Sequence, residues 1–390
     1  MKLASRMGRL GTETAFEVLA AARALEAQGK EIIHLEIGEP DFDTPGNIIE
    51  AACRALRSGK THYTPAAGVP ELRQAIANYI ASTRGIDVSP DQVVVVPGGK
   101  PIMFYVIMAL AEEGDEVIYP NPGFPIYESM INFVGAKPVP MPLREANGFS
   151  CDVHELASLV TERTKLIIIN SPANPTGGVL SRDDLRAIAE IARERDIMVM
   201  ADEIYSRILY EGEFASIASL PGMAERTIIL EGFSKTYAMT GWRLGYGVMP
   251  LELAPHITRL MVNSNSCTAA FTQYAGVEAL TGPQDASARM VEAFRERRDV
   301  IVEGLNRIPG IRCLKPKGAF YVFPNIEATG MGSKEMEQFL LHEAGVAALS
   351  GTSFGAYGEG FLRLSYANSV ENINKALNRI DDSLAKLRRR

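Results

Sequence analysis

The stretch EGFSKTYAMTGWRLGY, residues 231–246, decides how this chain reads. It follows the apolar run Thr227-Ile228-Ile229-Leu230, a strand that ends near Gly232. Ser234 and Lys235 come next, and Arg243 lies eight residues beyond the lysine. A lysine at the end of a buried strand is partly desolvated, which disfavours its charged form and frees the amine as a nucleophile for a carbonyl. A hydroxyl and a guanidinium close by suit a phosphate monoester. Alone, a lysine among 40 Lys and Arg residues reads as a solvated surface group. The decision therefore rests on what the rest of the chain supplies.

Outward from this stretch, strands and helices alternate. Val93–Val96, Val117–Tyr119, Leu166–Asn170, Ile197–Ala201 and Thr227–Leu230 are near-continuous apolar runs. Helical segments lie between them, to about Leu110, from Ile126 to Phe133 and from Arg182 to Arg193. Such runs predict a mainly parallel α/β sheet covered on both faces. Before the alternation, residues 14–29, 45–58 and 70–83 read as helices, and Ile32–Ile37 as a short strand leading to a turn-rich loop at Gly38. From about Gln284 the character changes to a long charged helix, the strands 318–323 and 361–366, and a last helix. This predicts a smaller α+β domain. The expected division is an N-terminal arm at 1–44 that packs with the small domain, a large domain at 45–284 and a small domain at 285–390.

Bulk properties limit the functions to consider. A hydrophobic fraction of 46% and a charged fraction of 22% in 390 residues are enough for a sizeable core. A net charge of -7 argues against nucleic acid or an anionic membrane as the main partner. The four cysteines, at 53, 151, 267 and 313, are dispersed without a CxxC or Cys/His cluster, which argues against a metal site and fits a reducing cytoplasm. The opening MKLASRMGRLGTETAF lacks the apolar segment of a secretory signal, and the apolar stretch Pro101–Ala111 is too short to span a bilayer.

Ligands of open parallel sheets bind beyond the carboxyl ends of the strands, so the loops there carry the chemistry. Gly98-Gly99-Lys100 follows the first run and precedes a helix whose free N–H groups suit a phosphate, although the pair reads equally as a tight turn. Phe124, after the second run, can lie flat on a planar ring or simply pack in the core. Asn174, in Ser171-Pro172-Ala173-Asn174-Pro175-Thr176-Gly177, is a donor to a ring oxygen or a carboxylate, or a polar turn residue. Asp202 ends the fourth run, placed either to meet a pyridine nitrogen or to cap a helix. Tyr205 follows within reach of a ring hydroxyl. An amine, a phosphate cradle, a flat aromatic and a carboxylate on successive strand ends are the parts that pyridoxal 5′-phosphate needs as an electron sink.

With these parts in place, the chain resembles, over its whole length, the fold-type I pyridoxal-phosphate enzymes, and within them the class I and II aminotransferases of the bacterial and archaeal aspartate-aminotransferase-like branch. The resemblance is carried by Gly232–Gly245, by Asn174-Pro175-Thr176-Gly177, by Asp202-Glu203-Ile204-Tyr205, by Gly38-Glu39-Pro40-Asp41-Phe42, by His62-Tyr63-Thr64 and by Phe361–Ser365. It implies a seven-stranded, mainly parallel sheet between helices plus the small domain, and a cytoplasmic homodimer acting in amino-acid biosynthesis. Lys235 would carry the cofactor and move the substrate's proton. Asp202 would pair with the ring nitrogen, while Tyr205 and Asn174 held the ring oxygen and Phe124 stacked on the ring. Gly99, Lys100, Ser234 and Arg243 would surround the phosphate, joined by Tyr63 of the partner subunit. Arg363 would take the substrate α-carboxylate with help from Asn174 and the backbone at Gly38.

The pattern has departures. Gly232 stands where some relatives have serine, three residues before the lysine. The stretch 261–265 lacks the arginine that one aspartate-specific branch uses for a distal carboxylate, leaving Lys100 as the candidate for that contact. The expected activity is transfer of an amino group from an L-amino acid to a 2-oxo acid such as 2-oxoglutarate. The alternative is a β- or γ-eliminating lyase on the same fold.

Overall fold

The computed structural model describes residues 1–388. Helix α1 (Ala15–Glu26) leads to the short strand β1 (Ile33–His34), then to α2 (Gly46–Arg57) and α3 (Pro70–Arg84). The alternation follows as β2 (Val93–Val96), α4 (Lys100–Leu110), β3 (Glu116–Asn121), α5 (Ile126–Val134), β4 (Lys137–Pro142), α6 (Val153–Leu159), β5 (Thr164–Asn170), α7 (Arg182–Glu194), β6 (Met198–Asp202), β7 (Thr227–Gly232) and β8 (Gly245–Val248). The seven strands from β2 to β8 form one sheet in the order β2-β8-β7-β6-β5-β3-β4. β8 is antiparallel to both its neighbours, and the remaining pairs are parallel.

Both faces of this sheet are buried, which is why its strands read as unbroken apolar runs. Val94, Val96, Val117, Ile168, Met200 and Ile228 pack into a core with α4 and α5. Val93, Val95 and Ile229 face the opposite way, against α2 and α3. The period of two in the strand sends alternate side chains to the two layers. All four valines of β2 are fully buried, each contributing about 1.5–3 kcal/mol by leaving water.

After β8 come α8 (Ala254–Asn265), α9 (Ala270–Thr281) and the long α10 (Asp285–Arg307). The remainder alternates β9 (Tyr321–Val322), α11 (Ser333–Phe339), β10 (Val346–Ala347), β11 (Leu349–Ser350), β12 (Leu362–Ser365) and α12 (Val370–Arg388). β11, β12 and β9 form a small antiparallel sheet, and β1 pairs in parallel with β10. The N-terminal segment is thus tied to the C-terminal part of the chain.

The strand expected over residues 32–37 is shorter: only Ile33–His34 is paired as a strand. Beyond it, the Glu36 and Gly38 carbonyls accept hydrogen bonds from the Arg363 guanidinium and the Lys235 ammonium rather than from a neighbouring strand. Backbone pairing ends at Leu35, whose amide donates to the Ala347 carbonyl at 3.0 Å and whose carbonyl accepts from the Ser365 amide at 2.7 Å. Among the described residues, no helix is long and apolar enough to cross a membrane.

Candidate active site

The carboxyl ends of β2, β5, β6 and β7 open onto one cavity of about 530 Å³. Gly38, Gly99, Lys100, Phe124, Asn174, Asp202, Tyr205, Ser234, Lys235, Arg243 and Arg363, eleven residues singled out in the sequence, all line it. Tyr63 does not; its side chain is 89% exposed on the surface of this chain.

Asp202 is the last residue of β6 and is buried. The expected alternative, a helix cap, is realised only as a turn: Asp202 Oδ1 accepts from the Ile204 amide at 3.2 Å, and no helix follows. Its Oδ2 accepts from the Tyr127 hydroxyl at 2.5 Å. Burial pushes the carboxyl up to about 6, against the hydrogen bonds from Tyr127 and Ile204. A cation placed against it would recover that desolvation energy.

Lys235 lies just beyond β7, and its ammonium donates to the Gly38 carbonyl. Burial, aided by the positive charge of Arg363, brings its amine down to about 8. At neutral pH a much larger share of this amine is therefore nucleophilic than for a solvated lysine. Capture of pyridoxal phosphate by the cofactor-free protein should accelerate about tenfold per pH unit below that value and level off above it. Stopped-flow absorbance checks this; a rate that keeps climbing towards pH 10 would show an ordinary lysine.

Arg363, on β12, is buried between two rings, with Cζ 4.6 Å from the Tyr321 centroid and 4.9 Å from that of Phe354. Its Nη1 donates to Asn174 Oδ1 at 3.2 Å and its Nη2 to the Glu36 carbonyl. Nε is buried without a partner. An aimed guanidinium with an unused donor in a cavity is prepared for an anion.

The phosphate side depends on glycine. Gly98 has φ +83, and a Cβ there would meet Arg243 Nη2 at 2.1 Å. The guanidinium therefore lies directly against the loop that starts α4. Arg243 itself takes φ 51 and donates to the Thr240 carbonyl at 2.8 Å. Gly38 makes a second close approach, since a Cβ there would come within 2.1 Å of Tyr321 Oη.

Several residues in or behind the cavity were not singled out from the sequence. Tyr127, fully buried behind it, donates to Asp202. Tyr321 Oη pairs with Tyr205 Oη at 2.7 Å. Asn170 ties two strand ends, donating to the Asp202 carbonyl at 3.0 Å and accepting from the Asn174 amide at 2.8 Å. Glu13 lines the mouth from the N-terminal arm. Tyr127 carried one signal, its place one turn after Phe124; the others meet only through the fold.

Behind the cavity floor, Arg84 at the end of α3 bridges two buried carboxylates. Its Nε lies 2.9 Å from Glu203 and its Nη2 2.9 Å from Glu231. Ser216 and Ser206 donate to the remaining oxygens at 2.5 and 2.8 Å. Glu203 directly follows Asp202, and Glu231 lies four residues before Lys235.

An α/β sheet whose strand ends bring a buried amine, carboxylate and guanidinium to one cavity defines an enzyme for small anionic molecules with a carbonyl cofactor. The model of the family "Aminotransferase class I and II" matches residues 30–380, and the chain belongs to that family. It is a transaminase dependent on pyridoxal 5′-phosphate, acting on small amino and oxo acids. It is 43% identical over 392 residues to a probable aspartate/prephenate aminotransferase of Aquifex aeolicus, covering 99% of each chain. It is 42% identical over 363 residues to aromatic-amino-acid aminotransferase 2 of Thermococcus litoralis, covering 92% of this chain and 93% of that one. The solved structure of aspartate aminotransferase from Thermus thermophilus with maleate superposes with a TM-score of 0.94 at 39% identity, over 98% of this chain and all of that one. None of these three relatives carries a lyase name.

The cavity residues fit the cofactor. The desolvated Asp202 calls for a cation, Lys235 offers the amine, and Arg243 with the start of α4 forms an anion cradle whose glycine leaves room for the guanidinium.

Proposed function

We propose that this enzyme transfers the amino group of a dicarboxylic L-amino acid, aspartate foremost, to 2-oxoglutarate, as a cytoplasmic homodimer. One observation carries the substrate assignment: two cations, Arg363 and Lys100, line the same cavity as Lys235. A dicarboxylic amino acid has two carboxylates to match them. The relative from Thermus thermophilus, solved with the dicarboxylate maleate, supports the reading.

In this reading Lys235 would carry the cofactor, and Arg243, Ser234, Gly99 and the start of α4 would hold its phosphate. Asp202, oriented by Tyr127, would serve the ring nitrogen. Tyr205 and Asn174 would serve the ring oxygen, and Phe124 would stack on the ring. The bound cofactor supplies an electron sink for the charge left at substrate Cα. The chain's own part is orientation and proton movement. Arg363 takes the α-carboxylate through its free Nε and a neighbouring Nη, beside Asn174 and the backbone at Gly38. That contact would fix the Cα–H bond towards Lys235, whose amine, freed when the substrate's amino group takes its place, would accept the Cα proton and give it up again on the far side of the substrate nitrogen. Lys100 takes the second carboxylate rather than the phosphate, since its ammonium lies over Phe124 at 5.4 Å.

The exposed Tyr63 is assigned to the neighbouring cavity of a dimer, where an aromatic hydroxyl otherwise left in water gains a phosphate partner. The division into 1–44, 45–284 and 285–390 remains our proposal for the domains. The four free cysteines fit a reducing compartment.

A donor screen tests the function: aspartate, alanine, phenylalanine and leucine, each with 2-oxoglutarate, with the new oxo acid quantified. Aspartate is expected to give the highest kcat/KM. Preference for alanine or leucine over aspartate would reject the dicarboxylic assignment. Release of ammonia without an added oxo acid would favour the lyase.

A further inference from the structure

Lys100 does not stand free at the cavity mouth. Its ammonium is paired with the carboxylate of Glu13. Glu13 lies between the short turn Ser5–Arg9 and α1, on a segment fastened to the body of the protein. The Gly11 amide donates to Ser129 Oγ on α5 at 2.9 Å, and Arg9 Nη2 donates to the Phe133 carbonyl at 3.3 Å. The side chain of Glu13 is only 17% exposed, against 46% for Lys100. An acid thus sits in the cavity directly against the one lysine assigned to a substrate carboxylate. Its field also reaches inward, acting to raise the pKa of both Lys235 and Arg363.

We propose that Glu13 is a specificity-determining residue, an internal carboxylate that holds Lys100 when the substrate side chain is uncharged and is displaced from it by the second carboxylate of an acidic substrate. The inference rests on the assignment of Lys100 made above. With the pair intact, the charges of Lys100 and Glu13 offset each other, and Phe16, Ile37 and Met103 are offered to an apolar side chain. With the pair broken, Lys100 faces the substrate, and Glu13 turns to water. One cavity then serves two classes of donor, and the acidic class pays for the lost ion pair. Partly exposed pairs of this kind hold each other weakly, so the free energy lost on breaking the pair is small.

The test uses cofactor-loaded wild type, Glu13→Gln, Lys100→Met and the double variant, with binding of maleate and of 3-phenylpropionate measured by calorimetry. Melting temperatures check that each variant is folded. Glu13→Gln is expected to raise the ratio of maleate to 3-phenylpropionate affinity by about three- to fivefold. The gain should vanish in the Lys100→Met background. If Lys100→Met weakens maleate while Glu13→Gln leaves the ratio unchanged or lowers it, the role of Glu13 is overturned and that of Lys100 stands. A gain that persists without Lys100 also overturns it, because displacement would not be its origin. If Lys100→Met leaves maleate binding intact, the assignment of Lys100 fails and this inference with it.

Discussion

Lys235→Ala is expected to retain a folded, cofactor-binding protein and to lose turnover by about four orders of magnitude or more. The side chain has two tasks at one place. It is the buried amine brought down to about 8, and in the function proposed above it is also the base that takes the substrate proton. Alanine removes both, while Asp202, Arg243 and the start of α4, left in place, would keep the anion and ring contacts proposed for them. Single-turnover absorbance with aspartate measures the loss. Borohydride reduction of the wild type, followed by peptide mass analysis, should place the cofactor label on Lys235. Residual turnover within about tenfold of wild type, or a label on another lysine, would refute the assignment.

Asp202→Asn has the second largest expected effect, and it acts in two directions. The amide keeps the shape, its oxygen accepting from the Ile204 amide while its NH2 donates to the Tyr127 oxygen, but it removes the negative charge that favours a protonated ring. Loss of one preorganised electrostatic partner of this kind lowers kcat by about 10²–10³. Stability moves the other way. The folded carboxyl titrates near 6 rather than at 3.8, so the folded state binds the extra proton between those values. The cofactor-free wild type therefore loses stability as pH rises from 3.8 towards 6, by roughly 3 kcal/mol at most. Asp202→Asn escapes that loss and should melt higher than wild type at neutral pH without cofactor. Thermal melts with and without pyridoxal phosphate check this, and a lower melting temperature for the cofactor-free variant would contradict it.

The sheet was legible in the sequence because parallel strands covered on both faces must be continuously apolar, as β2, β5 and β7 are. Two strands escaped notice for physical reasons. β4 is an edge strand carrying Pro138, Pro140 and Pro142, where the missing amides do no harm but erase the usual strand signature. β8 begins Gly-Tyr-Gly, and its antiparallel place between β2 and β7 depends on the connection that carries Lys235. The residues at strand ends could be read one loop at a time, since each sits just past an apolar run. Contacts between distant segments could not. The hydroxyls of Tyr205 and Tyr321 meet across 116 positions, and Glu13 reaches Lys100 across 87. Resemblance to a family supplied Arg363, which its local sequence presents only as a residue of a short strand.

The buried arginine behind the cavity floor has a consequence for anyone transplanting this site. Glu203 and Glu231 lie beside the working acid and the working amine in sequence, and they turn away from the cavity to grip Arg84. Grafting the segments 202–205 and 231–235 whole onto another scaffold would leave both acids without their counter-ion, deep in a host that cannot solvate them. The graft would have to bring the end of α3 as well, because the keystone of this catalytic arch lies on its hidden side.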